Sequence, residues 1–218
     1  MPGITVSVRT ERTMSVKRNG GPKDALVNDI VDREWAMFQR VENIGGRAFC
    51  QDQYDTFYVN RYSQHSVLAG DTLESYRRDL ADAEAAGRNL VTEKYAYMME
   101  FTDPAYFAAN LKGKLPVLDP EKADLVARIV STQLVGYQAY AARYPSLAGA
   151  GRPAQESGID TSIRDYSVGE YKTYSAATLR LVLRDISAME NPVMAIQRIQ
   201  VSFYGFADLE AAERAQRG

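Results

Sequence analysis

Apolar residues recur at steps of three and four through most of the chain, and that pattern predicts one helix after another. Residues 24–42, DALVNDIVDREWAMFQRVE, place Val27, Ile30, Val31, Met37, Phe38 and Val41 on one side, with Asp24 positioned to cap the start and Gly45-Gly46 just past the end. Two more helices are expected over 52–68 and 71–87, the second opened by Asp71 or Thr72 and stopped by Gly87. TEKYAYMMEF (92–101) predicts a short helix, and Pro104 after an Asp103 cap predicts another. The clearest element is 119–144: Asp119 caps, Pro120 opens, and Val126, Ile129, Val130, Leu134, Tyr137 and Tyr140 trace one face. A Gly- and Pro-rich loop is expected at 145–160. A long helix near 165–189, a helix opened by Asn191-Pro192 and a terminal helix from about 208 follow.

With short links and no strand-like run in the body, the expected fold is all-α, a single-domain multi-helix bundle over residues 24–218. Residues 1–23, MPGITVSVRTERTMSVKRNGGPK, lack the apolar centre of a secretory signal and read as a flexible or extended arm. Ile4, Val6 and Val8 alternate there as a strand would.

In such a bundle the informative positions are charges that interrupt an apolar stripe. Glu34 is one, three or four residues from Ile30, Val31, Met37 and Phe38. Such a carboxylate is either tied into a structural ion pair or raised in pKa by burial, as acid–base work uses. Arg47, in the loop NIGGRAFCQ (43–51), could reach back to Glu34 or hold an anionic ligand through its fork of donors. Gly45 and Gly46 would allow close backbone approach there, although a helix stop also accounts for them. Glu93 and Lys94 open a helix whose apolar side is Val91, Tyr95, Met98 and Met99. An anion suits a helix's first turn, whereas Lys94 asks for an anionic partner. In 165–183, Glu170, Lys172, Tyr166, Tyr171 and Tyr174 crowd one end of an otherwise apolar helix. That is the lining of a small polar-ligand site or a solvated helix start.

Composition narrows the chemistry. A net charge of −2 without a basic stripe argues against nucleic acid as a partner, and no apolar run has the length of a membrane span. A single cysteine excludes an internal disulfide and points to the cytoplasm. With one cysteine and one histidine, zinc, iron–sulfur and di-iron sites lack ligands, so no metal or cofactor is expected. A Cys50–His65 nucleophilic pair would need the two to meet; the expected outcomes are a buried inert thiol and a solvent-facing imidazole. GAGRPA (149–154) imitates a nucleotide fingerprint but follows a helix rather than a strand.

Four stretches taken together, EWAMFQRVENIGGRAFCQ (34–51), GRNLVTEKYAYMMEFTDP (87–104), ARYPSLAGAGRP (142–153) and GEYKTYSAATLRL (169–181), resemble a microbial family known as domain of unknown function 4125. The likeness covers about residues 24–210. It implies no activity and no catalytic residue. The stretches do contain Glu34, Arg47, Cys50, Gln51, Glu93, Lys94, Arg152, Glu170 and Lys172. Charge spread over four elements suits a shared pocket better than a pattern that only holds a fold.

The resulting expectation is a cofactor-independent lyase, isomerase or cyclase of specialised metabolism, acting on a small anionic or carbonyl-bearing metabolite. Arg47, Gln51, Arg152, Tyr95 and Tyr174 would bind it, Glu34, Glu93 or Glu170 would move protons, and Lys94 or Lys172 would polarise an oxyanion. The alternative is a helical ligand-binding or regulatory module without chemistry. A homodimer through an apolar helix face is also expected.

Overall fold

The computed structural model describes residues 20–43, 45–150 and 162–217. Among the described residues the chain is all-α, as the periodicity predicts, and holds no strand. Residues 1–19 of the expected arm lie outside the described residues, as does Arg152.

Helix α1 (Pro22–Gln39) starts before Asp24. Pro22 occupies the first helical turn, and Asp24 accepts the Gly21 N–H at 3.1 Å, reaching back instead of capping from the front. A 3-10 turn (Phe49–Asp52) leads into α2 (Tyr54–Ser66), then α3 (Gly70–Ala85) and α4 (Leu90–Thr102). A short α5 (Pro104–Tyr106) runs into a π-helical turn (Phe107–Leu111), both packed on α4. Next come α6 (Pro120–Arg143), α7 (Pro145–Gly149), α8 (Ile163–Tyr171), α9 (Ala176–Ser187), α10 (Pro192–Phe203) and α11 (Leu209–Arg217). No helix among the described residues is long and apolar enough to cross a membrane.

Two expectations fail in this order. The start of the 145–160 loop is the helical turn α7. The long helix expected over 165–189 is two helices, α8 and α9, because Ser175 breaks it. Its side chain caps α9 by accepting the Thr178 N–H at 3.2 Å, and its own N–H donates to Asp79 of α3 at 2.9 Å. Apolar periodicity carries through such a break, so the pattern alone could not show it.

Packing places α1 against α2, α3 and α4, lays α8 along α4, and sets α6 against α8, α9 and α10. The main core gathers Val27, Ile30, Leu73, Leu80, Ile129 and Leu179; a second core holds Tyr140, Leu147, Val193, Val201 and Leu209. Helix α6 feeds both: its 24 residues extend roughly 36 Å at 1.5 Å per residue. Its Leu125, Val126 and Ile129 enter the main core, and Tyr137 and Tyr140 enter the second.

Candidate functional site

Glu34 lies on the buried face of α1, where the stripe analysis puts it, and three other buried charges meet it there. Arg61, from α2, stands between two carboxylates. Its Nε and Nη2 donate to Glu34 at 2.7 and 2.5 Å, and its Nη1 donates to the two oxygens of Glu170 at 2.9 and 3.0 Å. Lys94 of α4 donates to Glu170 at 2.7 Å while its Nζ sits 3.6 Å above the Tyr166 ring. The phenol of Tyr76 donates to Glu34 at 2.7 Å and that of Tyr174 to Glu170 at 3.1 Å. Lys94, Glu170, Arg61 and Glu34 thus form one row of buried, alternating charges supplied by four helices.

The balance of charge decides the protonation states. Burial raises the Glu34 carboxyl, but Arg61 and His65 outweigh it and hold the group well below its ordinary range. At Glu170 burial is likewise overcome, by Arg61 and Lys94, and the carboxyl is held at about 2. Burial works against the charge on Arg61, yet Glu170 and Glu34 keep it well above its ordinary value. Burial pushes the phenols of Tyr76 and Tyr174 far up, so both stay protonated and donate.

His65 overturns the expectation of a solvent-facing imidazole. It is buried, stacked on Tyr76 with 5.4 Å between ring centroids, and its Nε2 lies 3.2 Å from each Glu34 oxygen and 3.2 Å from Arg61 Nη2. Helical spacing is the cause, since His65 follows Arg61 by one turn of α2 and shares its inward face.

On the far side of this row a narrow cavity of about 60 Å³ opens, walled by Gln64, His65, Gln133, Glu170, Tyr171 and Tyr174 among others. Tyr171 accepts from Gln133 Nε2 at 2.7 Å. Glu170 is the only acid or base besides His65 and the tyrosines on the cavity wall among the described residues. Helix α8 divides its residues by face. Ile163, Tyr166, Ser167, Glu170 and Tyr171 line this cavity, whereas Arg164, Val168 and, just past the helix end, Lys172 line an open groove against α6.

The structure therefore brings together Glu34, Lys94, Glu170 and Tyr174, and leaves the other expected residues, among those described, elsewhere. Arg47 does not reach Glu34. It is half exposed and donates to Asp52 at 2.8 Å, to Gln39 at 2.6 Å and to the Gln51 carbonyl at 2.9 Å, because the 3-10 turn folds those acceptors back onto it. Gln51 is buried and pins the same turn: its amide donates to the Phe38 and Val41 carbonyls at 3.0 Å each and accepts the Ala48 N–H at 2.9 Å. The loop turns the chain; it does not aim Arg47 inward. Glu93 pairs with Arg88 at 2.6 Å, and Lys172 pairs with Glu100. Tyr95 packs against the main core, 6.2 Å from the Phe38 ring. Cys50 is half-buried instead of buried, beside Gln53, Thr56 and Asn60.

Sequence reasoning passed over Arg61, the centre of the row. The signal was present: Arg61 sits among Phe57, Tyr58, Tyr62 and His65 on α2, the same interruption of an apolar face that marks Glu34. Tyr76 carried no such mark, because a tyrosine in an apolar stripe is ordinary core. Among the described residues no three His, Cys, Asp or Glu side chains gather as a metal site requires. Residues 24–214 match the family described as Protein of unknown function (DUF4125), in accord with the four stretches that resemble it. No curated protein and no solved structure matches the chain.

Proposed function

The chain belongs to the DUF4125 family, and from the geometry of its site we propose an enzyme of the isomerase or lyase type that moves a proton beside a carbonyl group of a small substrate. The observation that carries this reading is the place of His65, with Nε2 against Glu34 and the ring on the cavity wall. Glu34 is an ionised acceptor, so in this reading the neutral imidazole carries its hydrogen on Nε2, donated to Glu34, and its lone pair on Nδ1. Nδ1 has no hydrogen-bond partner among the described residues and is the ring nitrogen left for a substrate proton. Glu34 then acts as the orienting carboxylate and His65 as the base, a change from the role expected for Glu34.

Tyr171 supplies the complementary group. Its oxygen accepts from Gln133, which leaves its own hydrogen to donate. Burial pushes its pKa well up, so the phenol is a neutral donor suited to a carbonyl oxygen that gains charge as the proton leaves. The ionised Glu170 on the wall disfavours an anion, and the arginines expected to bind one lie elsewhere or outside the described residues. A neutral carbonyl compound is the better substrate class.

His65 is the chain's only histidine, so selective isotopic labelling gives one imidazole signal. Small ketones and aldehydes that move this signal should also exchange the hydrogen beside their carbonyl with deuterium oxide, and His65→Gln should abolish the exchange while the fold persists. A binder that moves the signal without exchange or turnover would count against the reading.

A second reading has its own observation. The row Lys94–Glu170–Arg61–Glu34 is neutral and each member is paired within it, as in a network that fixes helix register. In that case the domain binds a ligand without chemistry, and Glu34→Gln lowers the melting temperature but changes no turnover.

A further inference from the structure

The groove between α6 and α8 is unlike the His65 cavity in size and charge. It encloses about 570 Å³, within the roughly 300 to 1,000 Å³ of small-molecule sites. Its floor is apolar: Val126, Val130 and Leu134 of α6 face Val168 of α8. Ala127 and Ser131, both small and exposed, complete the α6 side of its lining. Val135, at one end, is 64% exposed.

Two cations and no carboxylate line this groove among the described residues. Both stand near the Phe101 ring, Arg164 Cζ 5.1 Å and Lys172 Nζ 5.6 Å from its centre, and Lys172 Nζ is also 5.3 Å from the centre of Tyr97. Their partners sit outside the lining, Asp165 on Arg164 at 3.2 Å and the partly exposed Glu100 on Lys172. An apolar trough with two positive charges on its lining is complementary to an amphipathic anion.

We propose that this groove is a second ligand site and that it takes a free amphipathic carboxylate of the straight-chain fatty-acid class. The alkyl chain lies along Val126, Val130, Leu134 and Val168, where burial of its methylenes stabilises it. The carboxylate pairs with Arg164 and Lys172 beside the edge of the Phe101 ring, displacing Glu100 from Lys172. The site is separate from the His65 cavity, and α8 forms a wall of each.

Dodecanoate, below its micelle concentration, is the probe for titration calorimetry on the full chain. One saturable site is expected, with Arg164→Gln and Lys172→Gln each weakening it roughly tenfold, as loss of a charge-assisted hydrogen bond does. Glu100→Gln should tighten binding, since it frees Lys172. Ala127→Phe should block the groove, with an unchanged circular dichroism spectrum showing that the fold survives. Equal affinity for dodecyltrimethylammonium would overturn the proposal, as would indifference to both Arg164→Gln and Lys172→Gln. So would a dimer on size-exclusion chromatography that Ala127→Phe converts to monomer, because a second copy would then occupy the groove. Dodecanoate should leave the His65 imidazole signal in place, so failure here is distinct from failure of the catalytic reading.

Discussion

A Cβ atom on Gly169 would stand 2.8 Å from the carbonyl oxygen of Lys94. Helix α8 therefore rests on the backbone of α4, and this closeness lets the Lys94 side chain reach Glu170, the residue after Gly169. The same added atom would lie 2.6 Å from Met98 Cγ. Met98 can move aside, but the Lys94 carbonyl belongs to a helix and cannot.

Gly169→Ala is accordingly expected to destabilise the domain by roughly 1–3 kcal/mol, the usual cost of overpacking. Urea unfolding measures this directly. A midpoint equal to that of the parent would show that the two helices separate without cost.

Arg61→Met removes the centre of the row and leaves Glu34 and Glu170 buried with one fewer cation. The expected loss is on the order of 3–5 kcal/mol, typical of breaking a buried pair from one side. Adding Glu34→Gln should recover part of that loss, since one stranded charge disappears. If the double variant is less stable than Arg61→Met alone, the coupling across the row has the wrong sign.

Stability should have a wide plateau in pH. Glu34 and Glu170 have folded pKa values below the ordinary 4.5, so their contribution is complete above that value and is lost as pH falls towards about 2. The tyrosines act at the other end. Burial raises Tyr97 to about 12 and Tyr76 and Tyr174 further, so their contribution is complete below pH 10 and is lost above it. Melting temperatures from pH 3 to 11 test this; Glu170→Gln should remove part of the acid limb.

Gln51→Ala tests the loop at 43–51. Three backbone groups, the Phe38 and Val41 carbonyls and the Ala48 N–H, lose their partner, at a cost of about 1–3 kcal/mol for each group that stays buried and unpaired. The imidazole signal of His65 should not change. A shifted signal with unchanged stability would place Gln51 in the site and not in the turn.

The sequence by itself determined that the chain is helical and which face of α1 and α6 turns inward, because burial of an apolar stripe at a period of 3.6 residues is a local property. It also marked Glu34, Lys94 and Glu170, since a charge that interrupts such a stripe has to find a partner. Tertiary structure alone decided which partner. Arg61 and Glu170 are 109 positions apart, and no spacing along the chain relates them. The break at Ser175 depends on Asp79 of another helix, and Arg47 is held outside the row by Asp52, Gln39 and the Gln51 carbonyl. Helical periodicity states that a side chain is buried; what it is buried against depends on the order in which helices pack, and that is set by contacts between distant segments.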